Sequence, residues 1–262
     1  MTEHLRFKVD EGIATITLDR PEKMNAFTDE MLERWLAALE ECRTSPDVRV
    51  IVITGTGRAF TTGGDIGSFS DKASQSAASI TSGLVEGSQR LPRKLAEIDK
   101  PLIAALNGFA TGGGLDIALA CDMRFAAESA RFAETYARMG LIPGMGGAYL
   151  LPRIVGMTKA LEMLWTGDWV DAREAERIGL VSKVFPDAEL MAGTHAFARR
   201  IADGAPLAVQ LIKRVMRLGL DRDFAAALDI VAASMPIVRS SEDHKEAVAA
   251  FKEKRTPNFK GR

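Results

Sequence analysis

Apolar and polar positions alternate over residues 5–9 and again over 13–18, on either side of Asp10-Glu11-Gly12. That spacing predicts a β-hairpin, which Arg20-Pro21 ends. The period then changes. Thr28 is an N-cap candidate with Asp29 and Glu30 in the first turn, and Met31, Leu32, Trp35, Leu36 and Leu39 form one helical stripe that Ser45-Pro46 stops. Residues 48–54 read as a buried strand and 55–67 as a loop rich in glycine and threonine. Helical spacing is weak over 70–82 and resumes through Leu84, Leu91, Leu95 and Ile98. An apolar run from Ile103 meets an Asn107-Gly108 turn, then Gly112-Gly113-Gly114, then a segment of helical composition. A strand over 123–126, helices near 158–165 and 171–178, and a strand over 181–185 follow. From about Leu190 the chain reads as helical and charged, with breaks at Gly204-Ala205-Pro206 and at 219–223. The order strand, helix, strand predicts an α/β fold in which helices cover a sheet. The later shift in composition divides it into an α/β core, residues 1–195, and a helical C-terminal region, residues 196–262.

Composition narrows the classes without naming one. Hydrophobic residues make up 47% and charged residues 26%, as in an ordinary globular chain. A net charge of −1 and a pI near 6.4 supply no general attraction to nucleic acid or to an anionic membrane. No apolar run approaches the ~20 residues of a membrane span, and residues 1–8 carry no apolar signal core. Two cysteines, Cys42 and Cys121, are too few for a disulfide framework and fit no metal-ligand spacing. A cytoplasmic protein that binds neither nucleic acid nor membrane is the expectation, with no metal.

The chemistry gathers at the glycines. Three in a row serve backbone geometry, because they offer no side chain. A helix starting at Gly113 would leave its first amides unpaired at the positive end of its dipole, a setting for an oxyanion, with Asp116 one turn in. A tight turn is the plain reading of such a run. Its company, Gly63-Gly64-Asp65 and Cys121-Asp122, favours a functional one. A dinucleotide fold is disfavoured because the third spaced glycine is missing, and no Gly-Lys-Ser/Thr phosphate loop occurs.

The stretch Gly112-Gly113-Gly114-Leu115-Asp116-Ile117-Ala118-Leu119-Ala120-Cys121-Asp122 resembles the signature of the enoyl-CoA hydratase/isomerase (crotonase) superfamily. Ala59-Phe60-Thr61-Thr62-Gly63-Gly64-Asp65-Ile66, the Gly140 to Gly147 turn and the tail 251–260 extend that resemblance over essentially the whole chain. It implies a spiral of β-β-α units with a C-terminal helical appendage that serves oligomerisation and the CoA pocket, assembled as a homotrimer or homohexamer. It implies an acyl-CoA thioester as substrate and no separate cofactor. The amides of Gly64 and Gly113 fall on the oxyanion-hole positions, and Asp116 and Tyr136 on the two catalytic acid positions. Thr62, Gly63, Asp65, Ile66, Gly112 and Lys260 are expected to bind substrate, with Lys252 and Lys254 also available to phosphates. Asp65 and Asp122 have a structural reading as well, holding loop amides or neighbouring elements.

Two of these positions depart from the family, whose hydratases carry glutamate at both. Asp116 is one methylene shorter. Tyr136 has an unperturbed pKa of about 10 and is ionised about once in 10³ molecules at neutral pH, so it suits hydrogen bonding or proton donation better than general-base work. Glu134, two residues earlier, is a further carboxylate. Phe69, Ile80, Leu84, Tyr136 and Met139 are candidates for the acyl pocket, and Gly144 stands where dehalogenases and some isomerases of the superfamily have aspartate. Hydration of a 2-enoyl-CoA through a stabilised enolate is the first expectation. One-carboxylate isomerisation or thioester hydrolysis is the second, and a noncatalytic acyl-CoA-binding protein the third.

Overall fold

The computed structural model describes residues 4–65 and 76–262. The hairpin forms from β1 (Leu5–Asp10) and β2 (Ile13–Leu18), paired antiparallel with Leu5 opposite Leu18. Helix Asp29–Thr44 starts where its cap predicts, the Thr28 hydroxyl accepting from the Met31 amide at 3.2 Å. Its apolar stripe is buried, with Trp35 and Leu39 fully enclosed.

Three β-β-α units follow. They are β3 (Val50–Gly55) and β4 (Ala59–Thr61) before helices Ala77–Gly83 and Arg90–Glu97, β5 (Leu102–Leu106) and β6 (Phe109–Thr111) before helix Gly113–Ala120, and β7 (Met123–Ala127) and β8 (Arg131–Ala133) before helix Gly147–Val155. In each unit the first strand joins one sheet and the second joins another. With β9 (Val170–Asp171) and β10 (Lys183–Phe185), the six-stranded sheet has the order β1-β2-β3-β5-β7-β10 and the four-stranded sheet the order β4-β6-β8-β9. Every residue of β5 is buried, as a central parallel strand requires. The expected loop over 55–67 therefore contains a strand, and β6 and β8 were likewise not predicted. Each has three residues, too few to show a period, yet Phe60 and Phe132 on them are fully buried.

Asp122 ties the C-terminal region to this core. Its carboxylate accepts from the Leu102 amide at 2.8 Å, from Lys213 at 2.7 Å and from Arg217 at 2.9 Å, joining the entry to β5 with helix Pro206–Gly219. The Lys213 amine also donates to the Lys100 carbonyl at 2.8 Å, so a cation whose burial lowers its pKa is multiply partnered.

The expected boundary at 195/196 falls inside helix Leu190–Ala202. That helix packs on β2, β3, β5 and β7, with Leu190, Thr194, Ala198 and Ala202 buried, so it belongs to the core. Among the described residues no single helix is long and apolar enough to cross a membrane; Phe224–Ser240 and Glu242–Glu253 reach the length only as a pair bent by 70°.

Candidate active site

Three parallel strands of the smaller sheet deliver the site. β4 leads into Gly63-Gly64, β6 into Gly112-Gly113, and β8 into Glu134-Thr135-Tyr136, with Thr111 opposite Ala133 in register. The segments then approach more closely than side chains would allow. A β-carbon on Gly114 would lie 2.0 Å from the Thr61 carbonyl oxygen, and one on Gly63 would lie 3.1 Å from the Gly113 nitrogen. Gly63 and Gly112 also take positive φ, 91° and 48°, where glycine is unstrained.

Two amides remain available here among the described residues. Phe27 pairs with the loop by donating to the Gly63 carbonyl at 2.9 Å and accepting from the Asp65 amide at 3.2 Å. The Gly64 N–H between them is left out of that bridge. Gly113 opens helix Gly113–Ala120, so its N–H has no carbonyl one turn earlier to pair with. Gly64 and Gly113 are partly exposed while Gly63, Gly112 and Gly114 are buried. Tyr136 and Met145 flank the spot: a β-carbon on Gly113 would sit 3.6 Å from the Tyr136 hydroxyl oxygen and 2.9 Å from the Met145 sulfur.

Asp116 lies directly behind and has no solvent exposure. Its Oδ2 accepts from the Tyr136 hydroxyl at 2.7 Å and from the Met145 amide at 3.0 Å. Its Oδ1 lies by the Gly147 amide without a partner of good hydrogen-bond geometry. Gly147 must be glycine, since its β-carbon would fall 2.1 Å from that oxygen. Burial raises the Asp116 pKa, and the Tyr136 and Met145 bonds oppose the rise. Burial, followed by the charge of Asp116, pushes the Tyr136 phenol upward, so it stays protonated. The structure thus brings together Gly64, Gly113, Asp116 and Tyr136 and adds two groups that sequence reasoning missed, the amide of Met145 and the bare Cα of Gly147. Backbone partners carry no side-chain mark; the only signal for them was the Gly146-Gly147 pair.

A family model for enoyl-CoA hydratase/isomerase matches residues 8–262. The chain belongs to the enoyl-CoA hydratase/isomerase family. It is 38% identical over 255 residues to the (E)-benzylidenesuccinyl-CoA hydratase of Thauera aromatica, covering 97% of this chain and 98% of that one. It is 36% identical over 258 residues to the crotonyl-CoA hydratase of Syntrophomonas wolfei, covering 98% of each. Among solved structures, an enoyl-CoA hydratase from Bacillus anthracis superimposes with a TM-score of 0.93 at 32% identity, covering 99% of this chain and 100% of that one. The two-sheet spiral is accordingly the crotonase fold.

The remaining candidate residues of this family member lie around that centre or away from it. Asp65 accepts from Arg20 at 2.7 Å, which pins its loop to the end of the first hairpin. The Thr62 amide donates to the Met24 carbonyl at 3.2 Å. Ile66 and Phe69 lie outside the described residues. Lys260 is not brought to the glycines within one chain. Its amide donates to Asp243 at 2.6 Å, and the neighbouring Phe259 carbonyl accepts from Arg49, just before the first residue of β3. The glycine site follows the far ends of β3 and β5, about 20 Å of strand away. Cys121 is fully buried and burial pushes its thiol up to about 12, which leaves it unreactive.

The close approach of Gly114 to Thr61 sets a stability test. Gly114→Ala places a β-carbon against backbone that has no rotamer to yield, and overpacking of this kind costs about 1–3 kcal/mol, or roughly 5 °C in Tm for a chain of this size. Gly83→Ala is the control, because nothing lies within 4 Å of a β-carbon there. Thermal unfolding is expected to show a lowered Tm for the first variant and none for the second; equal Tm values would contradict the packing argument.

Proposed function

We propose that this chain is a crotonase-type enoyl-CoA hydratase that adds water across a 2-enoyl-CoA with a single proton relay, Asp116 acting through Tyr136. The observation that carries this is the pair of uncommitted amides, Gly64 and Gly113, next to a buried carboxylate whose hydroxyl partner faces the same space. The thioester oxygen, bound by both amides, gains negative charge as the water oxygen bonds to the β-carbon; one such donor is typically worth ~10²–10³ in rate. Asp116 is wholly enclosed and Tyr136 half-buried, so the phenol is the group that meets water. The water proton passes to the Tyr136 oxygen as the phenol proton passes to Asp116. The reverse transfers then deliver one proton to the α-carbon and restore both residues. Atoms and charge balance, and no phenolate forms, in keeping with the upward shift at Tyr136.

The same relay could move a double bond by taking a proton at one carbon and returning it at another, so isomerisation is the second reading. An apolar, fatty-acyl type of chain is supported by Leu84, whose methyl carbon lies 3.6 Å from where a β-carbon on Gly144 would be, and by the exposed side chains of Ile80 and Met139. A reducing cytoplasm goes with this reading, Cys42 and Cys121 both being buried free thiols.

Crotonyl-CoA incubated with the protein in D₂O and followed by mass spectrometry tests the reaction. Addition of water is expected, falling by about 10²–10⁴ in Asp116→Asn, with a large loss also in Tyr136→Phe. Deuterium incorporation without hydration would replace the hydratase by the isomerase, and full activity of Tyr136→Phe would end the relay.

Self-association forms part of the same proposal. Helices Pro206–Gly219 and Phe224–Ser240 and the turn between them expose Ile212, Met216, Leu220, Phe224 and Leu228, and Phe224 is 79% exposed. So large an apolar face is expected to be covered by further copies of the chain as a homotrimer or homohexamer. Light scattering after size exclusion should give a trimer or hexamer mass that Phe224→Asp lowers; a monomer at micromolar concentration would contradict it.

A further inference from the structure

A second carboxyl group faces Asp116 and has no place in the relay. Glu134 has no solvent exposure, and neither of its carboxyl oxygens has a hydrogen-bond partner among the described residues. The Oδ1 atom of Asp116 lacks one too. The Glu134 carboxyl is within hydrogen-bonding reach of Asp116, and both groups converge on the bare Cα of Gly147. A β-carbon there would lie 2.1 Å from Asp116 Oδ1 and 3.3 Å from Glu134 Oε1. Two carboxyl groups left with unpartnered oxygens, facing each other out of water, have one simple resolution: a proton on one of them supplies the donor both lack.

We propose that Glu134 is a positioning residue that carries this proton and donates it to Asp116 Oδ1, so that the enclosed pair holds a single negative charge, on Asp116. The charge belongs on Asp116 because its Oδ2 already accepts from Tyr136 and Met145, whereas Glu134 receives no donor. Among the described residues no cation is at hand to permit two anions. Arg138 donates to the Thr166 carbonyl and pairs with Asp168, Arg131 donates to the carbonyls of Glu128 and Ala130, and Arg153 stacks on Tyr149. The groups that act on Glu134 are its own burial and Asp116, and they push it well above the usual carboxylate range. Glu134 thereby fixes the carboxylate from behind while Tyr136 holds it in front. When Glu134 ionises as pH rises, like charges face each other and Asp116 is displaced from Tyr136.

The kinetic part of this inference rests on the hydratase reading above, so its test has one arm with substrate and one without. In the first arm, kcat is measured against pH for the wild type, E134Q and E134A. Glutamine keeps an N–H donor but cannot titrate. It is expected to recover most of the turnover that E134A loses and to abolish the fall with rising pH that ionisation of Glu134 predicts for the wild type. A fall with rising pH that is identical in wild type and E134Q would overturn the proposal.

In the second arm, Tm is followed against pH without ligand. Glutamate in the unfolded chain ionises near about pH 4.3 while Glu134 in the folded chain keeps its proton, so the wild type binds more protons folded than unfolded above that pH. Its stability contribution is complete at low pH and falls as pH rises towards the folded pKa. The Tm of E134Q should therefore gain on that of the wild type with each pH unit above about 4.3. Parallel curves would overturn the assignment of the proton. A rising difference with no hydration of crotonyl-CoA would leave the proton in place and remove only the hydratase.

Discussion

The site depends on how closely two backbone segments can approach. Helix Gly113–Ala120 sits on β4 at a distance set by the missing β-carbon of Gly114, which would otherwise fall 2.0 Å from the Thr61 carbonyl. That contact brings Gly63 against Gly113, and through them the free amides of Gly64 and Gly113 to the edge of one space. Everything else in the centre is placed relative to this contact. β8 runs parallel to β6 and so presents Glu134 and Tyr136 beside the same helix end, and the turn ending at Gly147 closes over Asp116. A single glycine thus fixes the distance between the two halves of the proposed oxyanion hole, which come from different β-β-α units.

Electrostatics then restricts what this frame can do. Among the described residues, the enclosed volume contains Asp116, Glu134 and Tyr136 and no basic side chain directed at them. One negative charge is tolerable there because Tyr136, Met145 and the proton of Glu134 converge on it; a second is not. The phenol is pushed upward by burial and by Asp116, so it serves as a conduit for protons and never as an anion. Such a site favours chemistry in which a proton leaves and returns by one path while the developing negative charge rests on the two amides. That is how an aspartate and a tyrosine can stand where the family's hydratases have two glutamates.

Much of this was legible in the chain. The Thr28 cap, the apolar stripe through Trp35 and the buried run of β5 have enough residues to show their period. The glycine run named its own helix start, and Asp116 and Tyr136, singled out by the family resemblance, meet at 2.7 Å. What escaped was short or tertiary. β4, β6 and β8 have three residues each, and their pairing is to strands distant in sequence. Helix Leu190–Ala202 docks through Thr194, Ala198 and Ala202, small residues that leave no strong apolar stripe, so a boundary at 195/196 looked natural. Lys260 had the right charge, but the path of the tail past Arg49 is a matter of packing that no local pattern encodes. Met145 and Gly147 act through backbone alone.

On the proposed function, the Gly64 and Gly113 amides stabilise an enolate oxygen. Difference absorption during titration with a 3-oxoacyl-CoA measures this directly, since the bound thioester can ionise to an enolate without any bond to water. An enolate band is expected to grow with occupancy at a pH where the free thioester is largely neutral. Saturable binding with the ionisation of the free thioester unchanged would contradict it.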